Sequence, residues 1–309
     1  MTRDPAWLLQ YEKNVYSQSG EDGIVQAVLN AIGERDHWCV EFGAWDGRRF
    51  SNTRNLIESY FYNAVLIEGD ADRFAALKKF YAAHRNVTAV HAFVGFGKED
   101  GLDSILKKTA IPRRFDFLSI DIDGNDFHVW KAMEIYQPKL ICIEFNPTIP
   151  NECDFVQPPD PKVNQGSSLK ALVALGKAKG YELASVLQYN AFFVRSDLHA
   201  RLEICANSAE ILRKDLSQIT YLFQGFDGHI FVQGKQRLQW HGLDFDEEDL
   251  QLLPASLQKF ARNYSPAEKK LFEGYKTWLG CKRQMRKLQK PAVRIYQSLL
   301  QAVRRPNQK

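Results

Sequence analysis

Cysteine is scarce in this chain, and its cysteines form no recognisable pair. The 309 residues contain five cysteines without any C-x-x-C spacing, at positions 39, 142, 153, 205 and 281. The odd number and the scattered positions of these cysteines indicate neither a disulfide framework nor a zinc site. Cys39 and Cys142 lie in apolar segments, as is typical of reduced, buried thiols in a cytosolic protein.

Long hydrophobic runs are also missing. The sequence contains no apolar stretch long enough to cross a membrane, and the apolar cluster at residues 7–9 is too short for the core of a signal peptide. We therefore expect a cytoplasmic protein. With 45% hydrophobic and 12% aromatic residues, the chain still has ample material for a folded core.

Acidic residues are absent from residues 282–309, which carry nine Lys or Arg. Because the whole chain has a net charge of +4, residues 1–281 carry a net charge of −5. An acidic body opposes a phosphate backbone, so nucleic acid is not an expected partner. The basic tail is typical either of a terminal helix packed on its own protein or of one in contact with an anionic membrane surface. Its apolar residues recur at helical spacing, with a break near Pro291: Met285, Leu288, Ile295, Leu299 and Val303.

The dinucleotide fingerprint G-x-G-x-x-G is absent, although a strand-like segment containing Glu41 runs into a turn with Gly43 and Gly47. Glycine lets the backbone of such a turn approach a ligand closely. The turn also contains Asp46, and the next strand-like segment ends at Glu68. These carboxylates would repel a diphosphate, and Glu68 is placed to accept hydrogen bonds from ribose hydroxyls. The polarity favours S-adenosylmethionine over NAD or ATP.

A second group of polar residues follows two later apolar segments. Asp121 and Asp123 are spaced to share one side of a strand end, and Glu144 and Asn146 end the next strand. Oxygen ligands at adjacent strand ends suit Mg²⁺. They are equally suited to orient or deprotonate an acceptor hydroxyl. Both interpretations stay open at this point.

Asp126 and His128 follow the same segment. A carboxylate that orients an imidazole is one arrangement for general acid–base chemistry. The alternative is structural, because Asp123, Asn125 or Asp126 can cap the helix that the next residues predict.

Strand and helix patterns alternate up to about residue 195, and most strand segments are apolar on both faces. That pattern is typical of a parallel sheet covered by helices on both sides, an α/β fold. The segments 181–187 and 191–195 are close enough for a terminal antiparallel hairpin. The other strands are predicted at residues 38–43, 64–68, 87–91, 116–121 and 139–145.

Five motifs, in this order, resemble those of the FkbM-type methyltransferases, and the resemblance spans residues 14–198. They are SQSGED at 17–22, VEFGAWDG at 40–47, IEG at 67–69, LSIDIDGND at 118–126 and IEFN at 143–146. The resemblance implies a Rossmann-like, S-adenosylmethionine-dependent methyltransferase that acts on hydroxyl oxygens of sugars or secondary metabolites. Trp45 stands where the common methyltransferase turn has a glycine.

The resemblance and the residue patterns together give a candidate site. The cofactor-binding set is Gln18, Glu41, Gly43, Ala44, Asp46, Gly47, Asn52 and Glu68. The catalytic set is Asp121, Asp123, Glu144 and Asn146, with Asp121 and Asp123 as candidate metal ligands. The expected partner is a small-molecule or glycan acceptor.

Two other functions are consistent with the same residues. Asp121 and Asp123 also resemble the D-x-D motif of metal-dependent glycosyltransferases, and a non-catalytic binding protein would keep the fold without the reaction. Whichever of these functions applies, the sequence predicts the same three parts: a Rossmann-like domain (1–198), a mainly helical extension (199–281) and a basic amphipathic tail (282–309).

Overall fold

The computed structural model describes residues 3–33 and 36–303 of the chain. It divides into two compact units, with the boundary between Ile219 and Thr220. The strands of the first unit are β1 (Trp38–Phe42), β2 (Asn63–Glu68), β3 (Val87–His91), β4 (Arg114–Ile120), β5 (Gln137–Glu144), β6 (Tyr181–Val186) and β7 (Asn190–Arg195). Its helices are α1 (Glu21–Ile32), α2 (Arg54–Tyr60), α3 (Ala71–Phe80), α4 (Leu102–Leu106), α5 (Asp126–Ala132), α6 (Leu169–Ala178), α7 (Ser196–His199) and α8 (Ala209–Leu212).

The seven strands form one sheet in the order β3-β2-β1-β4-β5-β7-β6. Strands β1 to β5 pair in parallel, and β7 runs antiparallel to both β5 and β6. The predicted α/β fold, a Rossmann-like methyltransferase sheet with a terminal antiparallel hairpin, is confirmed. The chain leaves β1 in one direction across the sheet and returns to add β4 on the other side. A sheet of this kind binds ligands at that switch point, beyond the carboxyl ends of the strands.

Two apolar clusters cover the two faces of the sheet. Successive strand residues alternate between them, so that Val40 and Phe42 belong to one cluster and Cys39 to the other. The two largest buried side chains, Trp130 and Tyr62, also lie on opposite sides. The strands are therefore apolar on both faces, as the sequence pattern predicts.

A buried ion pair joins β4 and β5 within the sheet. Lys139 Nζ lies 2.9 Å from Asp116 Oδ1 and 2.8 Å from Asp36 Oδ2. Asp116 is fully buried, and its other oxygen accepts a hydrogen bond from the backbone N–H of His37. The pair fixes the segment that leads into β1 against the two neighbouring strands.

The first unit extends beyond the boundary that the sequence places after residue 198. Leu202 and Leu212 are buried in the apolar clusters of the sheet, one in each. Residues 199–219 therefore belong to the same unit as the sheet, because their apolar side chains complete its core.

The second unit contains hairpins as well as helix. Its strands are β8 (Thr220–Gln224), β9 (Ile230–Gly234), β10 (Arg237–Leu238) and β11 (Leu243–Asp244), and its long helix is α9 (Pro266–Val303). The sequence analysis predicts a mainly helical extension here, whereas the structure contains the β8–β9 hairpin. Its strands are rich in aromatic and β-branched residues, which favour strand over helix. The turn between them contains Gly228, which has a positive φ of 85°.

Helix α9 is continuous through Pro291, where the sequence pattern predicts a break. Proline removes one backbone hydrogen bond, and the turns on either side of it still form their own. Residues 304–309 of the predicted basic tail lie outside the described residues, as do the side chains of Leu288, Ile295, Leu299 and Val303. Within residues 3–33 and 36–303, no helix combines the length and the hydropathy that a membrane crossing requires.

Candidate active site

The candidate site lies at the carboxyl edge of the sheet, where four parallel strands end. Glu41 and Glu68 stand near the ends of β1 and β2, Asp121 directly follows β4, and Glu144 ends β5. Because β1 lies between β2 and β4, and β4 lies beside β5, these carboxylates share one edge. The strand order thus places residues of both predicted sets at one edge of the sheet.

Gly43 and Gly47, in the turn after β1, leave space that other atoms of the protein occupy. Gly43 has a φ of 72°, and a Cβ there would lie 1.9 Å from the backbone oxygen of Asp121. Gly47 has a φ of 68°, and a Cβ there would meet the ring of Tyr81 at 2.7 Å. The Tyr81 hydroxyl donates a hydrogen bond to the Gly47 carbonyl oxygen at 3.0 Å. Both glycines thus hold the turn close to β4 and α3.

Glu41 is buried and fully engaged by the segment that opens α2. Its Oε2 accepts hydrogen bonds from the hydroxyls of Ser51 and Thr53, each at 2.6 Å, and its Oε1 accepts one from the backbone N–H of Asn52 at 2.8 Å. Burial raises the pKa of Glu41, while these three hydrogen bonds act in the opposite direction. Its observed contacts therefore tie the end of β1 to the start of the crossover helix.

Asn52 belongs to the same group of buried hydrogen bonds around Glu41. Its Nδ2 donates to Ser119 Oγ at 3.0 Å, across β1 to β4, and the residue is only 5% exposed. These contacts tie Asn52 to β4 beside the start of α2, and its contact with the cofactor stays a prediction.

Glu68 holds two turns at the end of β2. Its Oε2 accepts a hydrogen bond from the backbone N–H of Trp45 at 2.8 Å, and its Oε1 accepts one from that of Asp70 at 2.7 Å. The backbone N–H of Ala44 donates to the Ile67 carbonyl oxygen at 3.1 Å. The turn after β1 is thus fastened to the end of β2, and each Glu68 oxygen keeps a second lone pair for a further donor.

The predicted residue Asp46 closes the far end of this turn. Its Oδ1 accepts hydrogen bonds from the backbone N–H groups of Arg48 and Arg49, at 2.9 and 3.0 Å. Asp46 therefore organises the loop that leads to α2.

Asp121, Asp123 and Glu144 form a tight carboxylate cluster. One oxygen of each lies within 4.8 Å of an oxygen of the other two. Burial and the neighbouring carboxylates, chiefly Asp126, raise the pKa of Asp121 to about 8. Burial and the charge of Asp121 raise the pKa of Glu144 to about 10. The structure thus brings three of the four predicted catalytic residues together.

Asp126 positions the loop that carries the two aspartates. Its oxygens accept hydrogen bonds from the backbone N–H groups of Ile122 and Gly124, at 2.9 and 2.8 Å. His128 Nε2 instead donates to the carbonyl oxygen of Gln157 at 2.8 Å. The two side chains bind different groups, so of the two interpretations the structural one, and not an Asp126–His128 pair, describes the structure.

Asn146 shapes the loop after β5. Its Nδ2 donates to the Gln165 carbonyl oxygen at 2.7 Å, and its Oδ1 accepts hydrogen bonds from the backbone N–H and the hydroxyl of Thr148. These contacts satisfy the amide from within the loop, and a role of Asn146 in positioning the acceptor stays a prediction.

The sequence-based site set omits a long-range pair, Glu21 and Asn190. Asn190 Nδ2 donates to Glu21 Oε1 at 2.9 Å, and both residues are buried. Asn190 is also the register partner of Glu144 in the β5–β7 ladder. The pair was not identifiable from spacing, since 169 residues separate its members; the only local signal is the polar residue that opens β7.

A cavity of about 510 Å³ lies between the N-terminal segment and the β6–β7 turn. Gly20, which precedes Glu21 in the chain, and Leu187, whose backbone N–H donates to the Asn190 carbonyl oxygen, are among the residues that line it. Its polar lining includes Lys13, Asn14, Gln18, Gln188, Lys214 and Asp215. The predicted cofactor residue Gln18 therefore belongs to this cavity, next to the β7 side of the sheet edge.

The carboxylates and the amide oxygen at this edge of the sheet fit a positively charged nucleoside such as S-adenosylmethionine. The strongest charge effects on Asp121 and Glu144 all come from carboxylates, including Glu21 and Glu41. Such surroundings favour a sulfonium and an ammonium group and disfavour a pyrophosphate. In addition, Asn190 Oδ1 is buried without a hydrogen-bond partner, and one acceptor at this edge is thus left for a donor or a cation.

Comparisons with known proteins agree with this description. The family model of the methyltransferase FkbM domain matches residues 35–183. No curated protein sequence matches the chain. The chain is 14% identical to a Galdieria sulphuraria protein described as a sarcosine dimethylglycine methyltransferase, with a TM-score of 0.36, and covers 61% of it with 52% of its own length.

Two further solved structures show a similar level of likeness. For the citrinin polyketide synthase CMeT domain, the identity is 12%, the TM-score 0.40, and the coverage 59% of this chain and 55% of the other. For the glycopeptide N-methyltransferase MtfA in complex with S-adenosyl-L-methionine, the identity is 11% and the TM-score 0.34, and the match covers 59% of this chain and 88% of the other. The chain thus spans less than two thirds of the first two of these three proteins. All three TM-scores are below 0.5, so the fold assignment rests on the strand order described above.

Proposed function

Because residues 35–183 belong to the methyltransferase FkbM domain family, we propose that the protein transfers a methyl group from S-adenosylmethionine to a hydroxyl oxygen. The acceptor would be a sugar, a glycan or a natural product. The observation that carries the proposal is the concentration of carboxylates at the carboxyl edge of the sheet, around Asp121 and Glu144.

The residues at the switch point divide the binding of the methyl donor between them. The free lone pairs of Glu68 would accept hydrogen bonds from the ribose hydroxyls. The turn from Gly43 to Gly47 would face the methionine end, with the negative field of the edge stabilising the ammonium group. Once bound, the cofactor supplies a methyl group activated by the positive sulfonium.

The acceptor would enter from the side of the cavity beside Glu21. Its amide and charged side chains, including Gln18, Gln188 and Lys214, can donate and accept hydrogen bonds, as a polyhydroxylated acceptor requires. The carboxyl groups of Asp121 and Glu144 would orient the reacting hydroxyl, and the one that is ionised would take up its proton as the methyl group is transferred.

Calorimetric titration of purified protein with S-adenosylhomocysteine, in parallel with ADP, tests the cofactor assignment. We expect binding of S-adenosylhomocysteine and no binding of ADP, because two phosphates would enter a field of carboxylates. Tight binding of ADP together with no binding of S-adenosylhomocysteine would refute the proposal.

The variant Glu68→Gln tests the ribose contact, with Glu134→Gln as a matched control. Glu134 is exposed and lies before β5, at the opposite edge of the sheet. Losing one of the strong acceptors should weaken S-adenosylhomocysteine binding about tenfold, equivalent to about 1.4 kcal/mol. The control should bind like the wild type, and equal affinity of all three proteins would argue against a ribose contact at Glu68.

Transfer of labelled methyl groups to a panel of glycans and hydroxylated natural products separates this function from its two alternatives. A non-catalytic binding protein would bind the cofactor and label no member of the panel. A glycosyltransferase would instead bind a nucleotide sugar in the presence of Mn²⁺, which calorimetry detects directly.

A further inference from the structure

The carboxylate cluster has the dimensions of a cation site. Asp121 and Asp123 follow β4, Glu144 ends the neighbouring strand β5, and one oxygen of each lies within 4.8 Å of the others. Two oxygens bound to one ion are separated by at most twice the metal–oxygen distance, which is about 4.2 Å for Mg²⁺ and about 5 Å for Ca²⁺. The three oxygens can therefore reach a common ion with little or no movement.

A second, independent observation points to a ligand at the same place. Asn190 is 7% exposed, and its Oδ1 is buried without a hydrogen-bond partner. Asn190 stands directly opposite Glu144 in the antiparallel β5–β7 ladder, so the two side chains project from the same face of the sheet. An amide oxygen in this position is a hard ligand of the same kind as the carboxylates.

The orientation of the Asn190 amide is fixed by its neighbour. Its Nδ2 donates to Glu21 Oε1 at 2.9 Å. Because the amide nitrogen is the donor in this hydrogen bond, Oδ1, on the other arm of the amide, faces away from Glu21 Oε1. The hydrogen bond to Glu21 thus leaves Oδ1 as the amide atom without a partner, on the face of the sheet that Glu144 shares.

We propose that Asp121, Asp123, Glu144 and Asn190 together bind a hard divalent cation such as Mg²⁺, Mn²⁺ or Ca²⁺. Four oxygen ligands from the protein leave positions on the ion for water and for the acceptor hydroxyl, because these ions take six or more ligands. The inference deepens the proposed function, since the ion would hold the acceptor beside the methyl donor. Cation binding by itself does not depend on methyl transfer.

Titration of the full-length protein with Mn²⁺, after dialysis against a chelator, tests the site. Free Mn²⁺ is quantified by electron paramagnetic resonance, and Mg²⁺ and Ca²⁺ are then added as competitors. We expect one Mn²⁺ per chain, displaced by at least one of the two competing ions. The absence of stoichiometric Mn²⁺ binding would overturn the proposal.

Three variants and a control assign the ligands. Asp123→Asn keeps the fold because Asp123 is exposed and asparagine tolerates its φ of 56°. Asp123→Asn and Glu144→Gln should each weaken Mn²⁺ binding about tenfold or more, and Asn190→Ala should weaken it as well. Glu134→Gln, at the opposite edge of the sheet, should leave it unchanged. Wild-type affinity in both Asp123→Asn and Glu144→Gln would show that the cation binds elsewhere and overturn the assignment.

A parallel titration with S-adenosylhomocysteine distinguishes failure of this inference from failure of the proposed function. If the nucleoside binds and Mn²⁺ does not, the cation site is wrong and the methyltransferase assignment is unaffected. If Mn²⁺ binds through these ligands and the nucleoside does not, the cation site stands and the methyl donor is wrong.

Discussion

Gly43 shows how one missing Cβ sets the geometry of the candidate site. Its positive φ turns the chain at the end of β1, and the Asp121 carbonyl oxygen occupies the space where a side chain would begin. The turn that faces the cofactor and the loop that carries two cluster carboxylates are therefore in direct contact. A change at this residue should affect both.

We expect Gly43→Ala to lower the free energy of unfolding by about 2–5 kcal/mol. Left-handed backbone costs an alanine about 1–2 kcal/mol, and the clash with the Asp121 carbonyl adds about 1–3 kcal/mol. Gly180→Ala is the control, because Gly180 has a similar φ of 78° and no atom within 4 Å of the added Cβ. Gly180→Ala should lower the free energy of unfolding only by the cost of the left-handed backbone, about 1–2 kcal/mol. Urea denaturation measures both, and equal losses would contradict the steric argument.

The buried Lys139 gives a second prediction at this scale. Lys139→Met leaves the fully buried Asp116 without its cation, so we expect a loss of about 3–5 kcal/mol in the free energy of unfolding. Glu203→Gln removes one charge of an exposed ion pair with Arg3 and should cost less than about 1 kcal/mol. Thermal and urea unfolding measure both variants. A loss below 1 kcal/mol in Lys139→Met would show that Asp116 finds another partner.

Individual side-chain roles were the least predictable part of the site. The sequence places Glu41 and Glu68 correctly near strand ends and Asn146 two residues beyond the observed end of β5, and it gives no sign of the donors that surround them. In the structure, backbone N–H groups and hydroxyls of adjacent turns engage all three. Where those groups point depends on turn geometry, which residue spacing along the chain does not record.

At the scale of elements, the ends of β4 and β5 concentrate negative charge. The parallel strands β4 and β5 lie side by side, so Asp121, directly after β4, and Glu144, at the end of β5, lie close together. The loop after β4 adds Asp123 and leads to Asp126 at the start of α5. Burial together with mutual repulsion raises the pKa values of Asp121 and Glu144 above those of exposed carboxyl groups. The folded protein therefore binds protons here that the unfolded chain releases near pH 4.

This difference predicts a loss of stability in alkali. A group whose pKa is raised by folding stabilises the native state below its unfolded pKa, and that contribution disappears as pH rises through the folded value. The free energy of unfolding in chelator should therefore fall between about pH 5 and pH 9. Glu144→Gln should flatten the decline and be more stable than the wild type at pH 9 by about 1–3 kcal/mol.

Urea denaturation from pH 5 to pH 9 measures the effect, with Glu134→Gln as a control that should follow the wild-type curve. Parallel curves for wild type and Glu144→Gln would show that the Glu144 carboxyl titrates normally. If the cation site exists, added Mn²⁺ should restore stability to the wild type at high pH and do so less in Glu144→Gln.

At the scale of the whole molecule, the core belongs to the first unit. The two apolar clusters draw their buried members from the region before Thr220, including Leu202 and Leu212 at its end. In the second unit, Val232 and Leu257 are the buried apolar residues within the described range. The sheet and its helices thus have the means to fold by themselves.

We expect a chain of residues 1–219 to unfold cooperatively and to bind S-adenosylhomocysteine within about threefold of the full-length affinity, a difference of about 0.7 kcal/mol. The candidate site and both apolar clusters lie within these residues. Circular dichroism and calorimetry measure the outcome. A shortened protein that folds and loses the ligand would place part of the binding site after residue 219.

The fold itself was largely predictable from the sequence. Strands buried on both faces give near-continuous apolar runs, so β1 to β5 are found within two residues of the predicted positions. The hairpin of β6 and β7 followed from the short gap between two such runs. The second unit was harder, because β8 and β9 are mostly exposed and carry no strong alternation.

The hydrogen bond between Glu21 and Asn190 has a consequence for synthesis of the chain. Glu21 leaves the ribosome 169 residues before its partner. At about 5–20 residues per second, the delay is roughly 10–30 s. During that interval the Glu21 carboxylate lacks the Asn190 amide, and the nascent domain can form this hydrogen bond only after translation has passed the start of the last strand of the sheet.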